Sequence, residues 1–384
     1  MRNKILLLSA YDASSHKLWR RRLLQLFPQL NWTQLALPPR HFNWRIRGNS
    51  LQWATTELKT LNQPYDLLIV TSMVDLSSLR GFVPALSKIP TLIYFHENQF
   101  AYPAGEQHRE NVEHQLVPLY SALCADVVVF NSQFNRQTFL ESARSIIQRL
   151  PEKFPDSILG KLQNSQVIPV PIDTRELKQD PKKDKHDDSI LEVIWNHRWE
   201  YDKGIELLLA LVKQVAAQQL PLRFHIVGEQ FRQQPPQFAE INQTLAEHGA
   251  RTGISRGSFG FVPERNDYLA LLQRCDVVLS TALHDFQGLA VQEAVAAGCT
   301  PLTPADLVYP EYLEAAFLFR RAAQQQATVR HILHKLLAWQ QLKACHENLP
   351  SAGLEHYTMD YVGQQYVGLF ERMGLTDTAR MSAN

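Results

Sequence analysis

Two carboxylates, Asp285 and Glu293, stand with seven residues between them at the predicted start of a helix. The apolar run at 276–281 is typical of a buried parallel strand, and the Ala-rich segment after Gly288 is predicted to form a helix that Gly298 closes. A helix that starts at the carboxyl end of a strand binds anions, because free N–H groups and the helix dipole point at the ligand. The segment therefore indicates an anion site with two acids. An ordinary strand–helix unit with solvated acids is the alternative.

A pair of cations occupies a similar position after an earlier strand, predicted at 191–195. Arg198 and Lys203 bracket the loop and the helix start that follow this strand. A bidentate guanidinium and a point-charge ammonium can together hold a diphosphate. A departing nucleoside diphosphate gains negative charge as its bond to a sugar breaks, so fixed cations would stabilise that transition state. Alone the pair could be two surface side chains, but with Asp285 and Glu293 it indicates transfer of a sugar from a nucleotide.

The elements that must position these residues alternate between strand and helix patterns, which predicts an α/β fold with parallel sheets. Strands are predicted at 4–9, 35–37, 67–71, 91–95, 127–130, 167–171, 191–195, 222–227, 258–261 and 276–281. The charged, Lys- and Asp-rich run near 177–189 has the composition of a linker. We therefore predict an N-terminal domain at 1–176, the linker at 177–189, a C-terminal nucleotide-sugar-binding domain at 190–350, and a C-terminal helix and tail at 351–384. Two doubly wound domains would place a ligand cleft at the carboxyl ends of their strands.

Composition excludes several other classes of protein. With 384 residues, 45% hydrophobic residues and a net charge of +1, the chain suits a two-domain soluble protein without a global basic field. The four cysteines form no CxxC pair, which predicts reduced thiols and a cytoplasmic protein. No glycine-rich dinucleotide or P-loop motif follows any strand, and no apolar run suits a membrane helix. No convincing metal site is predicted, and the sequence does not indicate the oligomeric state.

The cation pair and the acid pair together resemble the retaining nucleotide-sugar glycosyltransferases of the GT-B fold. That resemblance implies two Rossmann-like doubly wound domains that face each other across a cleft. It further implies that Glu293 binds the ribose hydroxyls of the donor, that Asp285 lies by the transferred sugar, and that Arg198 and Lys203 hold the diphosphate. The family usually has glutamate at the position of Asp285, so the sequence departs from the pattern there by one methylene.

The same resemblance implies roles for residues on other loops. Gly228 matches a glycine that faces the nucleotide at a strand end, and Gly288 lies at the helix start beside the donor. His96 matches a histidine that reaches the donor sugar. With Asp285 and the two cations, His96 completes the predicted catalytic set. The resemblance assigns no nucleophile: Glu97 could serve in a double displacement, or the leaving diphosphate could accept the acceptor proton in a front-face reaction.

Segments of the N-terminal domain, together with two of the C-terminal domain, narrow the resemblance to the tRNA-queuosine mannosyltransferases. The matching segments are Ser15-His16-Lys17, Phe42–Arg47, Tyr94–Gln99, His197–Glu200 and Leu307–Glu311. The resemblance implies transfer of α-mannose from GDP-mannose to the cyclopentenediol of queuosine in a tRNA anticodon, without a metal or other cofactor. It also places His16 near the donor phosphate or the acceptor. The family usually has two glycines in the first loop, where this chain has Ala13-Ser14.

A tRNA acceptor requires a local basic surface, because the chain as a whole is nearly neutral. Cations that alternate with aromatic residues suit phosphates and unstacked bases. The predicted acceptor and tRNA contacts are Arg40, Trp44, Arg45, Arg47, Glu97 and Asn98. The alternative for this segment is a solvated helix face with its tryptophan in the core.

Other functions remain compatible with the sequence. The same donor chemistry could serve a lipid, a polysaccharide or a small-molecule acceptor, although no stable membrane association is expected. A nucleotide-sugar epimerase shares the fold, and an RNA-binding protein on a degenerate transferase scaffold is the non-enzyme alternative. The presence of Arg198, Lys203 and Glu293 disfavours that last hypothesis.

Overall fold

A computed structural model of the chain describes residues 3–100, 112–177, 189–231 and 234–376. The chain divides into two compact units: unit 1 contains residues 1–171 and 356–384, and unit 2 contains residues 172–355. The greater part of the predicted linker, residues 178–188, lies outside the described residues.

Unit 1 is built on a six-stranded parallel sheet with helices between the strands. Its strands are β1 Lys4–Ser9, β2 Asn31–Ala36, β3 Leu67–Thr71, β4 Thr91–Phe95, β5 Val127–Phe130 and β6 Gln166–Val167, in the order β2-β1-β3-β4-β5-β6. Its helices before unit 2 are α1 Ser14–Leu26, α2 Phe42–Thr56, α3 Leu58–Leu61, α4 Leu76–Phe82, α5 Val112–Cys124, α6 Gln133–Arg149 and α7 Gly160–Gln163. Strands β3 and β4 are buried at every position, because helices cover both faces of the sheet.

Unit 2 repeats this architecture with a second six-stranded parallel sheet. Its strands are β7 Leu191–Trp195, β8 Leu222–Val227, β9 Phe259–Gly260, β10 Val277–Leu279, β11 Thr300–Pro304 and β12 Leu318–Phe319, in the order β12-β11-β10-β7-β8-β9. Its helices are α8 Thr174–Leu177, α9 Ile205–Gln218, α10 Gln237–Thr252, α11 Arg265–Arg274, α12 Leu289–Ala296 and α13 Gln325–Ala344. The strand order reverses between β7 and β10, and open α/β sheets bind ligands at such a reversal.

The last helix, α14 Met359–Arg372, returns to unit 1. Thr358 caps its first turn by accepting a hydrogen bond from the N–H of Tyr361 at 3.3 Å. Tyr366 faces the interior, where its hydroxyl accepts a 2.8 Å hydrogen bond from the indole N–H of Trp19 on α1. The C-terminal segment thus completes the core of unit 1.

The predicted α/β fold with two Rossmann-like units is confirmed. Several strands have the bounds that the sequence predicts, among them β3, β4, β5, β7 and β8. The strand predicted at 167–171 is wrong over most of its length, because Pro169 and Pro171 lack the N–H that a sheet ladder requires.

Candidate active site

In unit 2, two loops meet where the strand order reverses. One loop follows β7 and carries Lys203; the other follows β10 and carries Asp285. The ammonium of Lys203 donates a 2.7 Å hydrogen bond to the carbonyl of His284, and Thr281 Oγ1 donates to the carbonyl of Lys203 at 2.8 Å. Lys203 Nζ also lies 3.2 Å from Asp202 Oδ2. The structure therefore brings together the cation loop and the acid loop that the sequence singles out.

Arg198 stands at the solvent side of the same region. Its side chain is 45% exposed, and one guanidinium nitrogen lies 3.0 Å from Glu200 Oε2. The backbone of Gly228 passes close to His197, the residue before Arg198. A Cβ at Gly228 would lie 1.8 Å from the carbonyl oxygen of His197. Only glycine permits this approach, so Gly228 allows the loops after β7 and β8 to pack closely.

Asp285 is held by protein donors on both carboxylate oxygens. Oδ1 accepts the N–H of Gly288 at 3.0 Å, and Oδ2 accepts the hydroxyl of Tyr309 at 3.1 Å. Gly288 has φ +73°, a conformation that favours glycine, and it is the N-cap residue of α12. Burial opposes the charge of Asp285, but the nearby Lys203 holds the pKa of its carboxyl below the usual value. Asp285 is therefore ionised at neutral pH.

Glu293 is almost fully buried on α12 and is paired with a residue that the sequence did not indicate. Arg265, the first residue of α11, donates two hydrogen bonds to it, at 2.6 Å from Nη2 to Oε1 and at 3.1 Å from Nη1 to Oε2. Burial opposes the charge of Arg265, but Glu293 raises its pKa above the usual value. The guanidinium also lies over the ring of Tyr268, at 5.6 Å from its centroid.

In unit 1, a second cluster forms where β1 and β4 end. His16 on α1 stacks on His96, with ring centroids 4.0 Å apart and an angle of 20° between planes. His16 Nε2 lies 3.1 Å from Glu97 Oε2. Burial and the neighbouring His16 lower the pKa of His96 well below its usual value, so its imidazole is neutral. Within the described residues, His16 Nδ1 and both ring nitrogens of His96 have no hydrogen-bond partner. The cluster thus contains three buried ring nitrogens without a partner in the described residues.

Asn98 belongs to the frame of that cluster. It is buried, and its amide nitrogen donates to Asn135 Oδ1 at 2.8 Å and to Thr138 Oγ1 at 3.0 Å, both on α6. Its amide oxygen accepts the N–H of Phe100 at 3.1 Å. These bonds fix the loop after β4. The predicted contact of Asn98 with the acceptor stays a prediction.

The predicted tRNA contacts on 40–47 separate into two groups. Arg40, Trp44 and Arg47 are exposed, and Arg47 is paired with Asp75 at 3.1 Å and Glu113 at 2.7 Å. Arg45 is only 6% exposed and donates to Gln52 Oε1 at 2.7 Å, so its predicted role as a surface cation does not fit the structure. The reason is that α2 starts at Phe42, and the helical period turns Arg45 inward where an alternating segment would expose it.

Within residues 3–100, 112–177, 189–231 and 234–376, no helix has both the length and the apolar composition that a membrane span requires. No three His, Cys, Asp or Glu side chains in these ranges group as metal ligands.

Comparison with known proteins assigns the family. Residues 4–172 match the family described as tRNA-queuosine alpha-mannosyltransferase N-terminal, and residues 174–350 match glycosyl transferases group 1. A Drosophila melanogaster protein named tRNA-queuosine alpha-mannosyltransferase is 31% identical over 314 residues, which cover 80% of this chain and 81% of that protein. The chain belongs to the tRNA-queuosine alpha-mannosyltransferase family.

Solved structures show the fold of this family member. Sucrose-phosphate synthase from Thermosynechococcus elongatus has a TM-score of 0.65 at 14% identity and covers 97% of this chain and 99% of its own. The HepE protein of Anabaena in complex with UDP has a TM-score of 0.61 at 15% identity, with 97% and 100% covered. Together with the group 1 match, these likenesses confirm the GT-B fold, and the chain is a glycosyltransferase.

Sequence reasoning missed two residues of the unit 2 cluster. Arg265 is the first residue of α11, and no spacing rule links it to Glu293; only the folded structure brings α11 beside α12. Tyr309 had a weak signal, since it lies in a segment that resembles this family, but its bond to Asp285 could not be foreseen.

Proposed function

We propose that the chain transfers α-mannose from GDP-mannose to the cyclopentenediol of queuosine in a tRNA anticodon, with retention of configuration. The observation that carries this proposal is the 31% identity to the Drosophila melanogaster tRNA-queuosine alpha-mannosyltransferase, which spans 80% of the chain. The group 1 match over residues 174–350 supports donor binding by unit 2.

In this proposal the unit 2 cluster binds the donor. Arg198 and Lys203 hold the diphosphate, and the start of α12 adds N–H groups and its dipole. As the bond to mannose breaks, negative charge accumulates on the leaving phosphate, so these fixed positive groups lower the barrier. They supply the charge that a metal ion would otherwise provide, and we therefore propose a metal-independent reaction. Gly228 lets the backbone of the loop after β8 pass close to His197 and Arg198.

The two carboxylates of unit 2 are unsuited to act as nucleophiles, and we propose the front-face route to retention. Both oxygens of Glu293 accept bonds from Arg265, and both oxygens of Asp285 accept protein bonds. Such donors reduce the nucleophilicity of a carboxylate and suit it to bind hydroxyls. We assign Glu293 to the ribose and Asp285 to the sugar, and the leaving diphosphate accepts the proton of the acceptor hydroxyl.

The unit 1 cluster suits a ligand with several hydroxyl groups. A buried polar atom without a partner costs about 1–3 kcal/mol, so a ligand that satisfies the free nitrogens of His16 and His96 gains affinity. Glu97 orients His16 through their 3.1 Å contact. For the tRNA we propose a footprint that includes Arg40, Trp44 and Arg47, with a nucleobase against the 60% exposed indole. A tRNA acceptor also implies a cytoplasmic enzyme.

The test compares two tRNA preparations with radiolabelled GDP-mannose. Bulk tRNA from cells with and without queuosine is incubated with the protein, with and without EDTA. Label is expected only in queuosine-containing tRNA, unaffected by EDTA, and Arg198→Ala is expected to lose this label while remaining folded. Label that enters lipid, polysaccharide or small molecules, or no label in tRNA, contradicts the proposed acceptor; loss of label with EDTA contradicts the metal-independent reaction.

A further inference from the structure

A chain of hydrogen-bonded side chains in unit 2 leads from Asp285 to the end of β7. The hydroxyl of Tyr309 lies 3.1 Å from Asp285 Oδ2 and 2.7 Å from Ser280 Oγ. Ser280 Oγ lies 2.9 Å from His197 Nε2. Tyr309 and Ser280 are fully buried and His197 is 4% exposed, so these hydrogen bonds are shielded from solvent. We call these four residues the Asp285 relay.

Only one arrangement of protons satisfies the whole relay. An ionised carboxylate accepts and cannot donate, so the hydroxyl of Tyr309 must donate to Asp285. The oxygen of Tyr309 then accepts from Ser280, and the oxygen of Ser280 accepts from His197 and, at 3.3 Å, from the N–H of Ala282. Burial lowers the pKa of His197 to about 4, so the ring is neutral and its single proton is on Nε2. Every donor in the relay therefore points toward Asp285.

We propose that Tyr309 is the positioning residue that sets the location and charge of Asp285, so that Asp285 binds the transferred sugar solely as the acceptor of a sugar hydroxyl. The N–H of Gly288 occupies one lone pair of Asp285 Oδ1, and the hydroxyl of Tyr309 occupies one lone pair of Oδ2. One direction on each oxygen stays available to a ligand hydroxyl. This inference rests on the proposed function insofar as Asp285 faces the sugar.

The relay also accounts for aspartate at position 285. An additional methylene would carry the carboxylate toward the Tyr309 hydroxyl, which already lies 3.1 Å away. Tyr309 is restrained, because its ring is fully buried and its hydroxyl is also bonded to Ser280 Oγ at 2.7 Å. Asp285 and Tyr309 are thus a matched pair, in which the tyrosine hydroxyl occupies the space that a longer acid would need.

The first experiment removes the hydroxyl of Tyr309. Tyr309→Phe should lower kcat ten- to hundredfold and leave GDP affinity unchanged, because Tyr309 contacts the sugar-binding acid and not the nucleotide pair Arg265–Glu293. The acid limb of the kcat/KM pH profile should move to higher pH, since loss of a donor raises the pKa of Asp285. Tyr312→Phe is the matched control, because it removes a neighbouring hydroxyl outside the relay. An unchanged acid limb in Tyr309→Phe overturns the proposal.

The second experiment tests whether the side-chain length of Asp285 is matched to the hydroxyl of Tyr309. Asp285→Glu should lose activity in the presence of Tyr309 and regain at least tenfold when combined with Tyr309→Phe, which is the non-additive result of two groups in contact. Additive losses overturn the proposal.

A carboxyl ¹³C titration, assigned with Asp285→Asn, separates the failure of this inference from failure of the proposed function. If Tyr309→Phe raises the pKa of Asp285 although the protein transfers no mannose to tRNA, the proposed function fails and the relay stands. If transfer occurs and that pKa is unchanged, the relay fails alone.

Discussion

Replacement of Arg265 by alanine should weaken the binding of GDP, because it removes the support of Glu293. Each oxygen of Glu293 accepts one bond from Arg265, which leaves the second lone pair of each oxygen for a ribose hydroxyl. Arg265 and the ribose therefore do not compete, and the guanidinium preorganises the carboxylate. A hydrogen bond to a charged group contributes about 1.5–3 kcal/mol. Since the Arg265 side chain is 44% exposed, solvent screening reduces this to about 1–2 kcal/mol, a loss of affinity of about 5- to 30-fold.

Isothermal titration calorimetry with GDP and with 2′,3′-dideoxy-GDP measures this effect. Arg265→Ala should weaken GDP and leave the dideoxy nucleotide unaffected, since the latter lacks the hydroxyls that Glu293 binds. Arg265→Lys should restore only part of the affinity, because an ammonium cannot make the two parallel bonds of a guanidinium. Tighter binding of GDP by Arg265→Ala would refute the reasoning, since it would mean that Arg265 competes with the ribose.

Three further predictions concern stability and pH. The pKa of His197 is about 4 in the folded protein and near 6.5 in the unfolded chain, so acid favours the unfolded chain. Protonation of His197 should therefore lower the free energy of unfolding by up to about 3 kcal/mol as the pH falls from 6.5 to 4. In His197→Gln, the free energy of unfolding measured with urea should depend less on pH over that range. Tyr366→Phe leaves a buried indole N–H without its acceptor and should lower the free energy of unfolding by about 1–3 kcal/mol, whereas Tyr361→Phe, at an exposed position of the same helix, should change it little. Gly228→Ala should abolish GDP binding by forcing apart the loops after β7 and β8, while Gly81→Ala, where a Cβ meets nothing within 4 Å, should bind GDP normally in the same titration.

Continuous apolar runs predicted the strands of both sheets well, because both sheets are parallel and covered on two faces. Strands such as β4 and β7 are apolar at nearly every position, and such runs bounded by turns leave little ambiguity. The predictions failed where local sequence does not decide the structure. Arg45 and Trp44 are neighbours in the chain, but α2 buries one and exposes the other. That outcome depends on where the helix begins, and boundaries are the least certain part of a sequence-based assignment.

The residues of the candidate site were likewise predicted only in part from the sequence. Spacing within one segment identified Asp285 with Glu293 and Arg198 with Lys203, because these residues flank helix starts at the ends of two strands. Partners from distant segments could not be identified from the sequence. Arg265 reaches Glu293 from a different helix, and Asp285 Oδ2 is bonded to Tyr309, which is bonded in turn to Ser280. Such contacts are long-range products of the fold, and a single sequence does not encode them as a local pattern.

Mass spectrometry of nucleosides from enzyme-treated tRNA tests the central claim most directly. With GDP-mannose as donor, the queuosine nucleoside should gain the mass of one hexose, and an α-mannosidase should remove it, since retention preserves the α configuration of the donor. Queuosine that keeps its original mass, or a hexose that resists α-mannosidase and yields to a β-specific enzyme, would contradict the claim.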